Sequence, residues 1–322
     1  MTTRKIIAFL TVLALATFAS CSVESENIFN MFDDVKITFH NDSEYAVTDY
    51  RKYNDGDSVH ISFTITSATR DMMKLVVDST IGTGGANGKR EFTLNESQRR
   101  SYSGRLRFKI QRDGRATFRI YALDDKNVYM GDGYKSVTIE GAPSYTILAD
   151  RKVYRPNPNK PELPTFYAIG KGKAYTYAEG QANAADIDFG IYSQIDQTQG
   201  NFGRVVFNMY AISTETNPYP AYDLSNWEKR QTLFSAPVRN ASGGGGLFNA
   251  ALVSSSRIEE EAKKQTINQT ITSFNEYAMG LNAGSMLYFL TPEGKYGAIL
   301  INQSTVDAAG EDYLSISTKI QH

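Results

Sequence analysis

Two carboxylates have the spacing that most resembles catalytic chemistry in this chain of 322 residues. Asp186 and Asp188 alternate with apolar residues, so a strand would place both on one face, about 7 Å apart. Two carboxyl groups at such a separation can serve as acid and base in glycoside hydrolysis. The same alternation also describes the solvated face of a half-buried strand. We therefore expect a structural role for this pair and keep a carboxylate-based glycosidase as a third hypothesis.

Nucleophilic and metal chemistry have few residues to draw on. The sequence holds three histidines, His40, His60 and His322, and a single cysteine, Cys21. These four residues do not have the paired spacing of a zinc site. A Gly-x-Ser-x-Gly nucleophile elbow is also missing from the sequence. The sequence therefore predicts no catalytic residue, no metal site and no cofactor, and we do not expect an enzyme.

A segment stiffened by two prolines, residues 217–227, is the strongest candidate for ligand recognition. Sugar rings stack their C–H faces on aromatic side chains, while carboxylates and amides bond the sugar hydroxyls. A stiff loop also loses little conformational entropy on binding. The competing interpretation is that Trp227, the sole tryptophan, is a buried core residue. The candidate ligand-binding residues are Tyr219, Tyr222, Asp223, Asn226 and Trp227.

The first twenty residues have the layout of a secretory signal peptide. Arg4 and Lys5 give a cationic start, and residues 6–16 are mostly apolar. This apolar run is shorter than the ~20 residues that a membrane-spanning helix needs. The segment is therefore expected to direct export and then to be removed.

The end of this leader resembles the bacterial lipobox, because the small residues Ala19 and Ser20 directly precede Cys21. In lipoproteins that cysteine is diacylated and becomes the mature N-terminus. The resemblance implies a signal peptide over residues 1–20, lipidation at Cys21 and a polar tether over residues 21–32. Each buried methylene contributes about 0.8 kcal/mol, so two or more acyl chains would hold the protein on a membrane.

The charge balance of the mature chain limits the kinds of partner. Loss of Arg4 and Lys5 takes the 34 basic residues to 32, against 35 acidic residues. Binding to a phosphate backbone requires a clear basic excess, so we expect no nucleic-acid partner. An exported chain with a single cysteine also forms no internal disulfide, so its stability must come from core burial.

Residues 33–142 alternate between apolar and polar side chains, as half-buried strands do. The runs 59–65, 106–110 and 116–121 show this most clearly, and Asp-Gly turns at Asp55 and Asp113 separate such runs. Short strands at this spacing predict an immunoglobulin-like β-sandwich. Asp55 and its neighbours could also ligate calcium, but turn formation explains them without an ion.

The remainder of the chain is predicted to be a linker followed by a second, larger β-sandwich. Residues 143–165 are rich in proline and form the predicted linker. Residues 166–322 contain further alternating runs and a clear hairpin around Pro292-Glu293-Gly294. One short helix is expected, with Ser256 as the first residue of a capping box, and residues 243–246 are expected to be a flexible glycine loop.

The lipobox, the Ig-like part and two second-half segments, residues 186–190 and 294–297, together resemble two-domain lipoproteins of Bacteroidetes. Some lipoproteins of similar layout are accessory glycan-binding partners in starch-utilisation-type systems. The resemblance implies an outer-membrane lipoprotein of the cell envelope, with possible display on the cell surface and a polysaccharide ligand. The alternative hypothesis is a structural or adhesive surface lipoprotein that binds envelope protein partners through exposed strand edges.

Overall fold

The computed structural model describes residues 35–82, 88–131, 135–239 and 243–322. The predicted signal peptide, Cys21 and the tether over 21–32 lie outside the described residues. Within these ranges no helix is long and apolar enough to cross a membrane. The fold is all-β, as the sequence predicts, and strands form most of its regular structure.

The strands β1–β9 form an N-terminal sandwich of two sheets. One sheet has the order β1-β3-β6, and the other has the order β2-β9-β7-β4-β5 with β8 paired to β7. Ile61, Ile65, Ile120 and Val137 are fully buried between them because alternate residues of each strand point inward. The strands are Val35–His40, Tyr50–Tyr53, Ser58–Ser67, Lys74–Ile81, Gly88–Thr93, Ser101–Lys109, Gly114–Leu123, Tyr129–Met130 and Ser136–Gly141.

The strands β10–β19 form a C-terminal sandwich with a core of its own. A six-stranded sheet, β10-β19-β18-β17-β15-β16, faces a four-stranded sheet, β12-β11-β13-β14. Phe189 and Met209 of the smaller sheet belong to one buried cluster with Phe289 and Ile316 of the larger sheet. The strands are Tyr145–Tyr154, Phe166–Ala168, Lys173–Tyr175, Phe189–Ile195, Val205–Ala211, Leu233–Ser235, Ile267–Gln269, Met286–Leu290, Tyr296–Val306 and Asp312–Gln321.

Both outer faces of the C-terminal sandwich also carry buried residues. On the larger sheet, Ile258 and Phe248 pack against Tyr288. On the smaller sheet, Phe166 packs under Trp227, which lies in the segment that follows β14. A strand that is buried on both faces has a nearly continuous apolar sequence. Residues 286–290 of β17 show this pattern.

Helical segments in the described residues are more numerous than the single helix expected from the sequence. The helices are α1 (Tyr177–Gly180), α2 (Gly243–Gly246) and α3 (Ser255–Ala262). Helical turns of the 3-10 type cover Glu96–Gln98, Gln181–Asn183 and Tyr277–Met279, and a π-helical turn covers Leu247–Ala251. The predicted helix is present as α3, but its N-cap is Ser254, whose side chain accepts a hydrogen bond from the amide of Arg257.

The prediction of a flexible loop over residues 243–246 is wrong. This segment forms α2, and the Gly244 amide donates to the carbonyl of Gly284 at 2.7 Å. A Cβ at Gly244 would lie 2.5 Å from that of Met286. Glycine therefore serves close packing against β17 here and does not provide mobility.

The predicted linker over 143–165 is also wrong in its first half. Residues 145–154 form β10, a ten-residue strand that pairs antiparallel with β19. The alternation in this stretch was masked by its polar composition, since an edge strand needs few apolar residues. Residues 143–144 and the proline-rich residues 155–165 lie outside helices and strands.

Candidate functional site

Trp227 is a core residue, so its predicted exposure to a ligand is wrong. Its side chain is 5% exposed and packs against Phe166 with ring centroids 4.6 Å apart. The ring also lies against Gly180 of α1, where a Cβ would be 1.9 Å from the Trp227 ring. Burial of a large aromatic ring stabilises the fold by about 1.5–3 kcal/mol and leaves no free face for a sugar.

Tyr222 is likewise buried, at 3% exposure, and this part of the prediction is also wrong. Its ring stacks on Tyr177 with a centroid distance of 4.5 Å and an interplanar angle of 7°. Its hydroxyl donates to the carbonyl of Asn157 at 3.2 Å. Tyr222 therefore fixes the proline-rich segment that follows β10 relative to the aromatic segment that follows β14.

Tyr219 is half-buried and lies on the edge of this aromatic cluster. Its ring meets Tyr222 in a T-shaped contact at 5.1 Å. The Asn217 side chain accepts from the Tyr219 amide at 3.0 Å and donates to the Tyr222 carbonyl at 2.6 Å. These bonds hold the turn that carries Tyr219 in one conformation, so little entropy would be lost when a ligand binds there.

Tyr219 lines a groove of about 440 Å³, which we call the Tyr219 groove. Its walls come from residues 155–158 after β10, Ser193 of β13, Tyr219 itself and residues 310–312 at the start of β19. Four separate stretches of chain therefore meet here. The volume is within the range of ligand clefts, and one aromatic ring stands beside several polar groups.

Two ion pairs border the Tyr219 groove. The Arg155 guanidinium donates to the Asp312 carboxylate at 2.9 Å, and Lys160 pairs with Glu311. The Arg155 amide also donates to the Asp312 carbonyl at 2.9 Å, so backbone pairing fixes the first pair. Burial raises the pKa of the Tyr219 hydroxyl, and the nearby charge of Arg155 opposes that shift.

Asp223 and Asn226 are exposed, but neither belongs to the lining of the Tyr219 groove. The Asp223 carboxylate accepts from the Ser225 amide at 2.9 Å, and this bond lowers its pKa. Asp223 therefore shapes its own turn. Among the five residues predicted from the sequence, the structure brings only Tyr219 into a groove.

The polar residues of this groove were missed by sequence reasoning. Arg155 and Asn157 were assigned to a linker, and Asp312 is separated from them by more than 150 positions in the chain. The only available signal was the alternation of the last strand, and the pairing of that strand with residues 145–154 closes the groove. Pairing between distant strands cannot be read from either strand alone.

Asp188 and Asp186 have unlike surroundings. Asp188 is fully buried and accepts from Arg230 and Thr232, both at 2.7 Å, and from the Ile169 amide. Burial raises the pKa of Asp188, and these donors oppose the shift. Asp186 is exposed, lies before β13 and is 3.8 Å from Lys171. The pair is therefore not presented side by side on a strand, and Asp188 serves to hold Arg230 in the fold.

The histidines make hydrogen bonds within the strands and turns that carry them. His60 Nδ1 lies 2.9 Å from the Ser43 hydroxyl, and His40 lies 2.8 Å from the Thr64 hydroxyl. A serine nucleophile normally needs its histidine oriented by a third group. No carboxylate in the described ranges bonds to the His60 ring, and Asp42 instead pairs with Arg105.

The described part of the chain contains no group of three or more histidine, cysteine, aspartate or glutamate residues that could hold a metal ion. Asp55, which the sequence suggested as a calcium ligand, instead accepts hydrogen bonds from Ser256 of α3. Asp57 accepts from the Asn54 amide at 2.7 Å. Both carboxylates therefore have structural partners, as turn formation predicts.

No protein-family model and no curated protein matches the chain. Solved structures with a partial likeness include the alkylpurine DNA glycosylase AlkC of Pseudomonas fluorescens, 22% identical over 34% of this chain and 30% of that one, with a TM-score of 0.22. The CARDB domain of the PF1109 protein from Pyrococcus furiosus is 8% identical over 35% of this chain and 92% of that one, with a TM-score of 0.22.

A β-glucosidase from Listeria innocua is 11% identical over 34% of this chain and 16% of that one, with a TM-score of 0.20. The chain thus spans about a third of the glycosylase and a smaller part of the glucosidase. Likenesses at this level assign neither a family nor an activity to the chain.

Proposed function

We propose that this protein is a non-catalytic, lipid-anchored lipoprotein of the cell envelope that binds glycan in the Tyr219 groove. The observation that carries the proposal is one half-buried aromatic ring beside hydroxyl, amide and ion-paired groups in a fixed groove. Aromatic stacking with converging polar groups is the combination that a sugar ring requires. The buried rings of Tyr222 and Trp227 act behind the groove as its rigid support.

The absence of a catalytic step is part of the proposal. Glycoside hydrolysis needs two carboxyl groups that flank one bond, one of them held protonated in an apolar environment. Asp312 and Glu311, the carboxylates of the groove, are adjacent in sequence and each pairs with a cation. Each carboxylate is engaged by its own cation and accepts hydrogen bonds, which suits contact with sugar hydroxyls and leaves no pair of carboxyl groups to flank one bond.

Screening the purified protein on a glycan array tests this function. Bound polysaccharides are then cast into native gels, where binding retards migration. The Tyr219→Ala variant should lose at least about tenfold in affinity, the loss that 1.4 kcal/mol of stacking and burial would produce. Tyr50→Ala removes an exposed tyrosine of the N-terminal sandwich and should change nothing. Equal retention of both variants would place any binding elsewhere.

The anchoring proposal is supported by the leader and by the position of Cys21. Wild-type protein should separate with membranes and yield an acylated N-terminal peptide in mass spectrometry. The Cys21→Ser variant should appear in the soluble fraction, because no acyl chain is attached. An unmodified thiol on a membrane-bound wild-type protein would contradict this.

A structural or adhesive role is the second candidate, and one observation favours it. All six residues of β5 are exposed, and this strand pairs with β4 along one edge. The described residues place no strand on its other edge. An exposed strand edge can accept a strand of a partner protein. The test is a pull-down of envelope proteins with the wild type and two variants. Capture of a partner that is lost with Arg90→Pro but kept with Tyr219→Ala would favour this role.

A further inference from the structure

The charged groups of the Tyr219 groove form balanced pairs. Asp312 is joined to Arg155, and Glu311 is joined to Lys160. Each negative charge at the groove therefore has a positive partner from the segment that follows β10. Among the residues that the structure describes, Arg155 is the one cation in the groove lining, and it is already paired with Asp312.

The Arg155–Asp312 pair is also partly open to solvent, with side-chain exposures of 37% and 25%. One guanidinium nitrogen bonds Asp312, and the remaining donors of the fork have no other side-chain or backbone partner within the described ranges. A neighbouring donor and acceptor of this kind complement the hydroxyl groups of adjacent sugar carbons, since each hydroxyl both donates and accepts. Neutral sugars can use the pair without breaking it.

An acidic sugar would meet a different situation. Its carboxylate could reach Arg155 only in competition with Asp312, and it would lie close to the charge of Glu311. Like charges placed together in a partly desolvated groove oppose binding. The Arg155–Asp312 pair would therefore select against acidic sugars. The groove therefore favours uncharged ligands in two ways: the ion pair can bond their hydroxyls, and the carboxylates repel acidic sugars.

We propose that the Tyr219 groove selects neutral polysaccharides over acidic ones, with the Arg155–Asp312 pair as the specificity determinant. This inference rests on the proposed glycan-binding function and specifies its ligand class. Because the pair is fixed by the backbone bond between residues 155 and 312, selection does not require a conformational change. Binding should also depend little on ionic strength, since no net charge is neutralised.

Affinity electrophoresis on a matched panel tests this selectivity. The neutral gels contain starch, mannan or mixed-linkage β-glucan, and the acidic gels contain alginate or polygalacturonate. Wild-type protein should be retarded by at least one neutral polymer, with retention by acidic polymers at least about tenfold weaker. Retention should persist when sodium chloride is added.

The Asp312→Asn variant should change the preference of the protein between neutral and acidic polymers. It keeps the shape of the side chain but frees Arg155 from its carboxylate, so retention by acidic polymers should rise about tenfold or more. The matched control is Asp78→Asn, which frees Arg119 on the N-terminal sandwich in the same way. That control should keep the wild-type preference.

The outcomes separate the inference from the function on which it rests. Wild-type retention by acidic polymers as strong as by neutral ones overturns the selectivity while leaving glycan binding in place. An unchanged preference in Asp312→Asn, with retention by neutral polymers intact, also overturns it. Retention by no polymer of either class removes the proposed function itself.

Discussion

The carboxylate of Asp55 accepts two hydrogen bonds from Ser256, one from its amide at 2.5 Å and one from its hydroxyl at 2.8 Å. The two residues are 201 positions apart, and they join an Asp-Gly turn of the N-terminal sandwich to the first turn of α3. The second such turn makes a parallel contact, because the Asp113 amide donates to the Val253 carbonyl. A negative charge beside the first amides of a helix is favourable.

Loss of this contact should loosen the junction. We expect Asp55→Ala to reduce the free energy of unfolding by about 1–2 kcal/mol, the usual cost of a lost helix cap. Hydrogen exchange at the Ser256 and Arg257 amides should accelerate. Asp49→Ala is the matched control, because Asp49 is exposed and its side chain makes no hydrogen bond to another residue of the described ranges. Unchanged exchange at Ser256 would contradict the contact.

The packing of Gly180 on Trp227 gives a second prediction. A methyl group at residue 180 would lie 1.9 Å from the ring, so Gly180→Ala must displace the tryptophan. Overpacking of this kind costs about 1–3 kcal/mol. Trp227 is the sole tryptophan, so a red shift of the intrinsic fluorescence would report its movement directly.

Gly170→Ala is the control for this substitution. A Cβ at residue 170 has no atom within 4 Å and the backbone is not in the left-handed region. This variant should keep both the emission maximum and the melting temperature. Equal behaviour of the two alanine variants would show that Trp227 does not pack on residue 180.

Arg230 should be essential to stability because of Asp188. It donates to the buried Asp188 carboxylate and makes a two-bond contact with Glu293, whose pKa it lowers to about 2. Removal of one partner of a buried ion pair costs about 3–5 kcal/mol, so Arg230→Met should be strongly destabilised. In urea unfolding, the double variant Arg230→Met, Asp188→Asn should lose less free energy of unfolding than Arg230→Met alone, since no buried charge is left unpaired. A larger loss in the double variant would contradict this.

The buried Lys319 should give the free energy of unfolding an unusual dependence on pH. Its side chain is 3% exposed and donates to the carbonyls of Phe248 and Leu252, and burial lowers its pKa from 10.5 to about 8. Between these two pKa values the unfolded chain binds more protons, so stability should rise with pH in that window. Relative to Lys319→Met, wild-type protein should gain about 1–3 kcal/mol between about pH 7 and pH 10 in urea unfolding. A constant difference between the two proteins would show that Lys319 does not titrate in this way.

Sequence patterns predicted the strands well where alternation was strong. The run 59–65 lies within β3, and the hairpin around Pro292-Glu293-Gly294 connects β17 and β18. Inward-facing apolar residues and turn chemistry are both local, so short segments reveal them. The glycine run 243–246 was misjudged because its helix depends on contacts with β17, which no local pattern encodes.

The candidate site could be predicted only in part for the same reason. The composition of residues 217–227 indicated recognition, but it could not distinguish rings that form a surface from rings that support one. Trp227 and Tyr222 pack on the outer face of a sheet whose other face is also buried. That second layer makes large aromatics core residues, and only the folded topology reveals it.

A crystal structure of the protein with a bound neutral oligosaccharide tests the central claim most directly. We expect a sugar ring stacked on Tyr219 at about 4 Å, the separation of atoms in van der Waals contact. Its hydroxyls should bond the Arg155–Asp312 pair, which should stay intact. A sugar bound away from Tyr219, or one that separates Arg155 from Asp312, would contradict the account.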